Sequence, residues 1–301
     1  MSPSGRDVVE PYVAQHSATV RSSLPAVLAD APDAIHATRV ATRRLRSVLR
    51  TYRPLWSSGH GRLRDELRWY AAVLGRPRDL EVVGDWLSAL LEDPLVRATP
   101  GAAAAADELR RRVDLDRTQA LTDMRRELTG DRFPALAAAL PPTDWVPAAD
   151  VPADLLVSGL AAAPAKLAEA EADALPTGPN RPVALHELRK TAKAARYAVD
   201  ALGPGAEDQA AIWKKVTETL GVAQDGQVAQ AVLAELRLDA PSDGAVWDAL
   251  SMLVEKAARE AEVAGLELVR AAAVIPYARV GDEQAEHGNS RTDGESSSPL
   301  R

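Results

Sequence analysis

The chain has 301 residues and no cysteine, which excludes disulfides and thiolate chemistry and leaves length enough for one large domain or two small ones. Hydrophobic residues make up 46% but aromatic ones only 4%, so the core must be built from Ala, Leu and Val, a composition that favours close helix packing. The net charge of −7 does not exclude a polyanion ligand, because 36 Lys and Arg are set against 43 Asp and Glu in separate segments and the local field decides such binding.

The opening MSPSGRDVVEPYV lacks the apolar run of a secretory signal, and no stretch reaches the 18 or so apolar residues of a membrane span, so a cytoplasmic location is expected. A first helix is predicted from about Gly5 to Ala29. Pro32-Asp33 starts a second, with Asp33 as its N-cap, and Pro54 ends it. A third, from about Gly61 to Leu74, stops at Gly75-Arg76-Pro77. There Asp79 is placed to cap the next helix, which runs to about Glu92, and Asp225 holds the same position after Leu220-Gly221. Helices from about Ala102 to Leu128 and from Phe133 to Leu140 complete the first half. Pro141, Pro142 and Pro147 mark a junction over residues 141–153. The second half repeats the plan with helices at about 153–175, Val183 to Leu202, Glu207 to Leu220, Gly226 to Arg237 and Ser242 to Ala273. Strand patterning is absent, which makes the fold class all-α, in two halves at about 5–140 and 153–273. Residues 276–301 turn to Gly, Ser, Asp, Glu and Asn, the composition of a disordered tail.

The segment Ala34 to Arg53, AIHATRVATRRLRSVLRTYR, has one His, six Arg and no acid, and its pattern returns 150 residues later as ALHELRKTAKAARYAV, Ala184 to Val199. In register, His36 matches His186, Arg39 matches Arg189, Arg43 matches Lys193 and Arg46 matches Arg196. Steps of three and four residues return to one helix face. His36, Arg39, Arg43, Arg46 and Arg50 thus form a stripe opposite Ala41, Leu45, Val48, Leu49 and Tyr52. In the second copy His186, Arg189, Lys190, Lys193 and Arg196 stand away from Leu188, Ala195, Val199 and Leu202. A solvated basic face explains one such helix, but it requires neither a fixed leading His nor a matching phase in two distant segments. Arg offers phosphate a planar fork of donors and Lys a mobile charge, and the stripe spans roughly 21 Å at 1.5 Å per residue. Both features suit a long anion with many phosphate groups.

Other cations extend the pattern. Aligning the two Leu-Gly elements sets Arg68 opposite Lys214, with Lys215 adjacent, as a second basic helix for each half. Arg110, Arg111, Arg112, Arg117, Arg125 and Arg126 are interrupted by Asp114, Asp116 and Asp123 and read as solvated or ion-paired. His36 and His186 fit two roles, donors to phosphate oxygen or buried residues at a helix junction. Neither has a second His or carboxylate at ligand spacing, so no metal and no cofactor is expected.

HATRVATRRLRSVL and LHELRKTAKAARYAV resemble the two signatures of the CHAD domain, the conserved-histidine α-helical family. LGRPRDLEVV, Leu74 to Val83, and LGVAQDGQVA, Leu220 to Ala229, are similar to its paired Leu-Gly elements. The resemblance runs from about Arg6 to Ala273, making residues 1–273 the expected CHAD domain. It implies two pseudo-symmetric bundles of about four to five helices each around a basic central groove or pore that binds inorganic polyphosphate, with association at polyphosphate granules in some members.

Catalytic motifs are missing: there is no GxxxxGK[ST] loop, no HExxH, no GxGxxG and no carboxylate pair beside either basic signature. AEAEAD at Ala168 to Asp173 lacks the Lys of the ExExK element that marks the catalytic domain sometimes joined to this family. The expected function is therefore non-catalytic polyphosphate binding by a stand-alone module. The alternatives are a polyphosphate-processing enzyme or accessory using a borrowed metal, and a nucleic-acid-binding module, for which aromatic interleaving is sparse. Acidic runs such as ALLEDP, AEAEADAL and EKAAREAE form an exterior that discourages nucleic acid. The oligomeric state is not encoded in any motif.

Overall fold

The computed structural model describes residues 4–57, 60–146, 151–152, 156, 163–175, 178, 180–203, 207–239 and 244–273. The tail at 276–301 and most of the predicted helix start at 153–162 lie outside the described residues. In chain order the helices are α1 (Gly5–Ser22), α2 (Leu24–Leu28), α3 (Ala34–Thr51), a 3₁₀ turn (Arg53–Leu55), α4 (His60–Val73), α5 (Gly75–Leu91), α6 (Pro94–Arg97), α7 (Ala102–Leu128), α8 (Arg132–Ala138), α9 (Ala163–Ala174), α10 (Arg181–Asp200), α11 (Glu207–Asp239) and α12 (Gly244–Ala273). The fold is all-α; among the described residues β-type pairing is limited to the isolated bridges Ser4 with Pro152 and Trp56 with Trp145.

Local chemistry sets the ends. A capping box opens α1, where Asp7 N donates to Ser4 Oγ at 3.2 Å and Ser4 N donates to Asp7 Oδ2 at 3.0 Å. The single helix predicted to Ala29 is divided at Ser23, because Pro25 has no N–H to continue the ladder. Asp33 does sit at the N-cap of α3, but in the left-handed region at φ 56° and with no side-chain cap bond. The short α6 was not expected; Asp93 Oδ1 accepts from Leu95 N at 2.8 Å, with Pro94 in the first turn.

The predicted break after the Leu-Gly elements occurs in only one copy. Leu74 separates α4 from α5, since Pro77 cannot donate to the carbonyl one turn back, whereas Ala223 stands at the equivalent place and α11 continues without interruption. Asp79 and Asp225 consequently lie inside helices, not at N-caps, which corrects the reading of both as caps.

The buried apolar residues fall into two clusters. Leu45, Val48 and Leu49 of α3 pack with Leu67 and Tyr70 of α4, Met124 of α7, Leu188 and Val199 of α10, and Val216 of α11. Val83 and Leu87 of α5 pack with Leu109 of α7, Leu233 of α11 and Trp247 of α12. The long helices α7, α11 and α12 cross from one cluster to the other, so each cluster draws on both halves of the chain. A buried hydrogen bond joins the two cationic helices directly, Tyr52 Oη donating to Ala198 O at 2.6 Å. Among the described residues no helix is long and apolar enough to cross a membrane.

Helices α11 and α12 meet at bare backbone. A Cβ added at Gly226 would stand 2.7 Å from Ala258 Cβ, which has no torsion with which to yield. Gly226→Val gains at most about 0.5 kcal/mol of helix propensity but overpacks by about 1–3 kcal/mol. Its urea midpoint is therefore expected to fall with the slope unchanged, and an unchanged or raised midpoint would show that this contact is loose.

Candidate anion-binding site

The two cationic helices bury matching faces. Ile35, Thr38, Ala41, Thr42, Leu45, Val48 and Leu49 are buried on α3, and Leu185, Leu188, Ala192, Ala195, Ala198 and Val199 on α10. With those faces fixed in the core, the charged stripes turn toward each other. A cavity of about 360 Å³ lies between them, taking His36, Arg39 and Arg43 from α3 and His186, Arg189, Lys190 and Lys193 from α10, with Arg78 and Asp79 of α5 and Asp225 of α11 in its wall. A second cavity, of about 290 Å³, shares Arg43, Lys190 and Lys193 with the first and adds Arg46, Arg50, Arg64, Arg68, Asp65 and Tyr197. Together they make one trough along both helices.

The upper part of the trough carries counter-charge. Arg39 Nη1 donates to Gly75 O and to Asp79 Oδ1, both at 2.8 Å. A Cβ at Gly221 would stand 3.1 Å from Arg189 Nη2, so this glycine leaves room for the guanidinium to lie against the helix. Each Leu-Gly element thus forms a seat: a glycine with no side chain and, one turn on, an Asp facing the same way. Burial raises the Asp225 carboxyl above the usual range, while Arg189 and Lys193 draw it back down. His36 is held below the ordinary histidine value by partial desolvation and then by Arg78. His186 Nδ1 lies 2.9 Å from Gln224 Oε1, and Gln224 stands where the first copy has Arg78. Both histidines line the cavity and neither is buried. The buried histidine at a helix junction is His16, 5% exposed, with its ring edge to Tyr12 and Nε2 3.5 Å from Arg44 Nη1. Burial, then Arg44, lowers its pKa to about 4.

The lower part carries almost no counter-charge. Arg43, Arg46, Arg50, Arg64 and Arg68 make no ion pair among the described residues, and Asp65 is the single carboxylate in that cavity wall. Desolvation lowers the Arg46 pKa, and Arg68, Arg50, Arg43 and Arg64 each lower it further. Desolvation and then Arg64 do the same to Arg50. By contrast, the arginines of α7 are engaged: Arg110 with Asp107, Arg111 with Glu108, Arg112 with Asp116, Arg117 with Asp30, Arg126 with Asp123, and Arg125 with the carbonyl of Leu28. Where the two cavities join, burial first and then Arg43 and Arg189 push Lys193 down to about 6, against the opposing pull of Asp225.

Three of the expected residues are placed elsewhere. Arg196 turns into the junction below the trough, donating from Nη1 to Thr217 Oγ1 at 3.0 Å, with Nε 3.9 Å from Asp200 Oδ2. Lys214 is exposed beside Glu218 at 4.0 Å, and Lys215 is exposed too; neither lines either cavity. Of the two equivalent helices α4 and α11, only α4 therefore lines the lower cavity, and the repeat is broken there. Sequence reading missed Arg64 and Arg78. Arg64 lies one helical turn before Arg68, and Arg78 stands in the LGRPRD element beside Asp79.

The family model described as CHAD domain matches residues 11–234. The chain belongs to the CHAD domain family. Its fold superposes on PptA from Streptomyces chartreusis with a TM-score of 0.71 at 24% identity, covering 90% of this chain and 99% of that one. Against the CHAD domain of the plant Ricinus communis the TM-score is 0.64 at 19% identity, covering 92% and 94%. Two Mycobacterium tuberculosis proteins, MT2285 (strain CDC 1551 / Oshkosh) and Rv2226 (strain ATCC 25618 / H37Rv), are each 30% identical over 242 residues, 79% of this chain and 47% of theirs. This CHAD chain thus spans about half the length of the curated relatives it matches.

Lys193 gives the stability of this CHAD domain a defined pH dependence. Its folded pKa, near 6, lies below that of an unfolded lysine, about 10.4, so between those values the unfolded chain holds a proton that the folded chain has lost. Stability contributed by this group must rise with pH through that window. Lys193→Met is expected to be more stable than the parent at neutral pH, with the difference shrinking as pH rises toward 9; a difference independent of pH in urea titrations would contradict a suppressed charge at Lys193.

Proposed function

We propose that this protein binds inorganic polyphosphate, without catalysis, along the trough between α3 and α10. The observation that carries the reading is the group of guanidiniums at Arg43, Arg46, Arg50, Arg64 and Arg68, gathered in one wall without ion pairs while the arginines of α7 are all engaged. Like charges held together at partly desolvated positions raise the energy of the empty site, and a ligand with a negative charge on every unit relieves it along the whole row. His36, Arg39, Arg189, Lys190 and Lys193 continue the same row upward, and His186 stands at the matching upper end. Family membership supports the reading as well.

The wall chemistry favours holding over cleaving. Asp79 is engaged by Arg39, and Asp225 faces Arg189 and Lys193. Among the described residues no group of three or more His, Cys, Asp or Glu is placed to hold a metal ion. Among the described residues Tyr197 is the one Phe, Trp or Tyr in the two cavity walls, which provides little stacking for bases. Association with polyphosphate granules would be the cellular counterpart of such binding, to be examined by imaging a fluorescent fusion.

A chain-length series at fixed salt tests the function directly, with orthophosphate, ATP and RNA as controls. Affinity is expected to rise with polyphosphate length until the roughly 21 Å row is filled, and to fall steeply with salt because counterion release gains less entropy in a more concentrated solution. Equal affinity for orthophosphate and long polyphosphate, or tighter binding of RNA, would overturn the reading. Release of orthophosphate from polyphosphate in Mg²⁺ or Mn²⁺ would assign it to an enzyme instead.

The uncompensated row makes a paired prediction. Arg43→Gln, Arg46→Gln and Arg50→Gln together remove three phosphate contacts and also relieve repulsion. Polyphosphate affinity is expected to drop by at least about tenfold, at some 1.4 kcal/mol per decade, while the thermal midpoint stays level or rises. Loss of folding in this variant would mean that the arginines are structural.

A further inference from the structure

We propose that Lys193 is an acylation site at which a small acyl phosphate, seated by its phosphate in the trough, transfers its acyl group to the lysine amine and so weakens the trough for long anions. The inference rests on the trough being a phosphate site and adds a chemical means of regulating it.

Position is the first support. Lys193 belongs to the walls of both cavities, at the place where they join. Arg39 and Arg43 face it from α3, Arg189 and Lys190 flank it on its own helix, and Asp225 faces it from α11. No carboxylate forms an ion pair with it among the described residues, whereas Lys190 is bound to Glu187 at 2.8 Å and Lys214 lies 4.0 Å from Glu218. Burial and its cationic neighbours leave Lys193 as the free amine at neutral pH, the nucleophilic form. A neutral amine beside donors for a phosphate group is matched to an electrophile that carries its own phosphate.

The step balances without any further reactant. The Nζ lone pair attacks the acyl carbon, forming the C–N bond, and the C–O bond to phosphorus's oxygen breaks with its electron pair leaving on orthophosphate. The proton lost from the amine passes to the departing phosphate or to Asp225, whose raised affinity for protons suits it as a relay. Arg43 and Arg189 stabilise the phosphate both as it binds and as it leaves. The product is a neutral amide plus orthophosphate.

The consequence follows from what the free amine does when a long anion arrives. Phosphate oxygens beside Nζ favour its protonation, so binding draws a proton onto Lys193 and adds a charge to the row. An amide cannot take that proton. It also adds bulk where the two cavities meet, in the middle of the path of a chain-like ligand.

The whole protein is incubated with acetyl phosphate at neutral pH and the modified lysines are mapped by peptide mass spectrometry over time. N-acetoxysuccinimide, which has no phosphate, serves as a parallel donor. With acetyl phosphate, Lys193 is expected to react at least about tenfold faster than the exposed Lys214 and Lys215. Polyphosphate should protect it, and Arg43→Gln should slow it more with acetyl phosphate than with N-acetoxysuccinimide. The acetylated protein, and Lys193→Gln as its mimic, should bind polyphosphate more weakly than the parent. Reaction of Lys193 no faster than that of Lys215, or equal slowing by Arg43→Gln with both donors, overturns the proposal. Titration of the same preparation with polyphosphate separates the two readings. Binding without selective acylation defeats the acylation site alone, and selective acylation without polyphosphate binding defeats the polyphosphate reading together with the regulatory role, leaving only the acylation site.

Discussion

Two helices with rows of like charge can face each other only if something on their far sides holds them there. In this protein the restraint is the burial of Leu45, Val48 and Leu49 on α3 and of Leu188, Ala195 and Val199 on α10, tied across by the bond from Tyr52 to Ala198. Repulsion among exposed guanidiniums is worth a few tenths of a kcal/mol per pair and more where they are partly desolvated, as at Arg46, while each fully buried aliphatic side chain contributes about 1.5–3 kcal/mol. The apolar faces therefore win by a wide margin, and the charged faces adopt positions they would not choose. That surplus lets the fold keep a crowded cationic wall without neutralising it internally.

The counter-charges are distributed unevenly along the trough. At the upper end Asp79 pairs with Arg39 and orients its guanidinium, while Asp225 partly offsets the charge of Arg189 without an ion pair to it among the described residues. At the lower end Arg43, Arg46, Arg50, Arg64 and Arg68 have little beyond Asp65. The potential thus increases from the histidine end toward the α4 end. On the polyphosphate reading, a flexible anion would be drawn first to the lower wall and then aligned by the more ordered donors above it. The chain as a whole carries a net charge of −7, so its positive potential is a local property of segregated basic segments.

How far the sequence could be read follows from the range of the interactions involved. Stripe and core face of α3 and α10 were legible because both repeat every three to four residues within one helix. The long α7 was legible for the same reason, down to its ends. Asp79 and Asp225 were misassigned as caps because an Asp after a Leu-Gly break is locally a good cap, and the true partner of Asp79 lies 40 residues away in Arg39. The continuity of α11 depended on one residue, Ala223 where the first copy has Pro77. Arg196 kept its phase in the stripe, but Asp200 and Thr217 draw its head below the trough. Lys214 and Lys215 were inferred from alignment of the halves, and the lower wall is where the halves cease to match, since α4 reaches it and α11 does not.

One further asymmetry bears on how an empty cationic wall is tolerated. Arg39 matches Arg189 and Arg46 matches Arg196, but Arg43 matches Lys193, and these two residues occupy the walls of both cavities. An Arg at both central positions would fix two charges where the cavities join, because a guanidinium stays protonated at any accessible pH. A lysine there can release its proton when the trough is empty and regain it when phosphate oxygens replace water. On the polyphosphate reading, the charge of the site would then adjust to its occupancy where the two cavities join. The cost of the empty state is lowered while the charge of a filled state would be retained, so part of a polyanion's attraction would be converted into proton uptake from solvent.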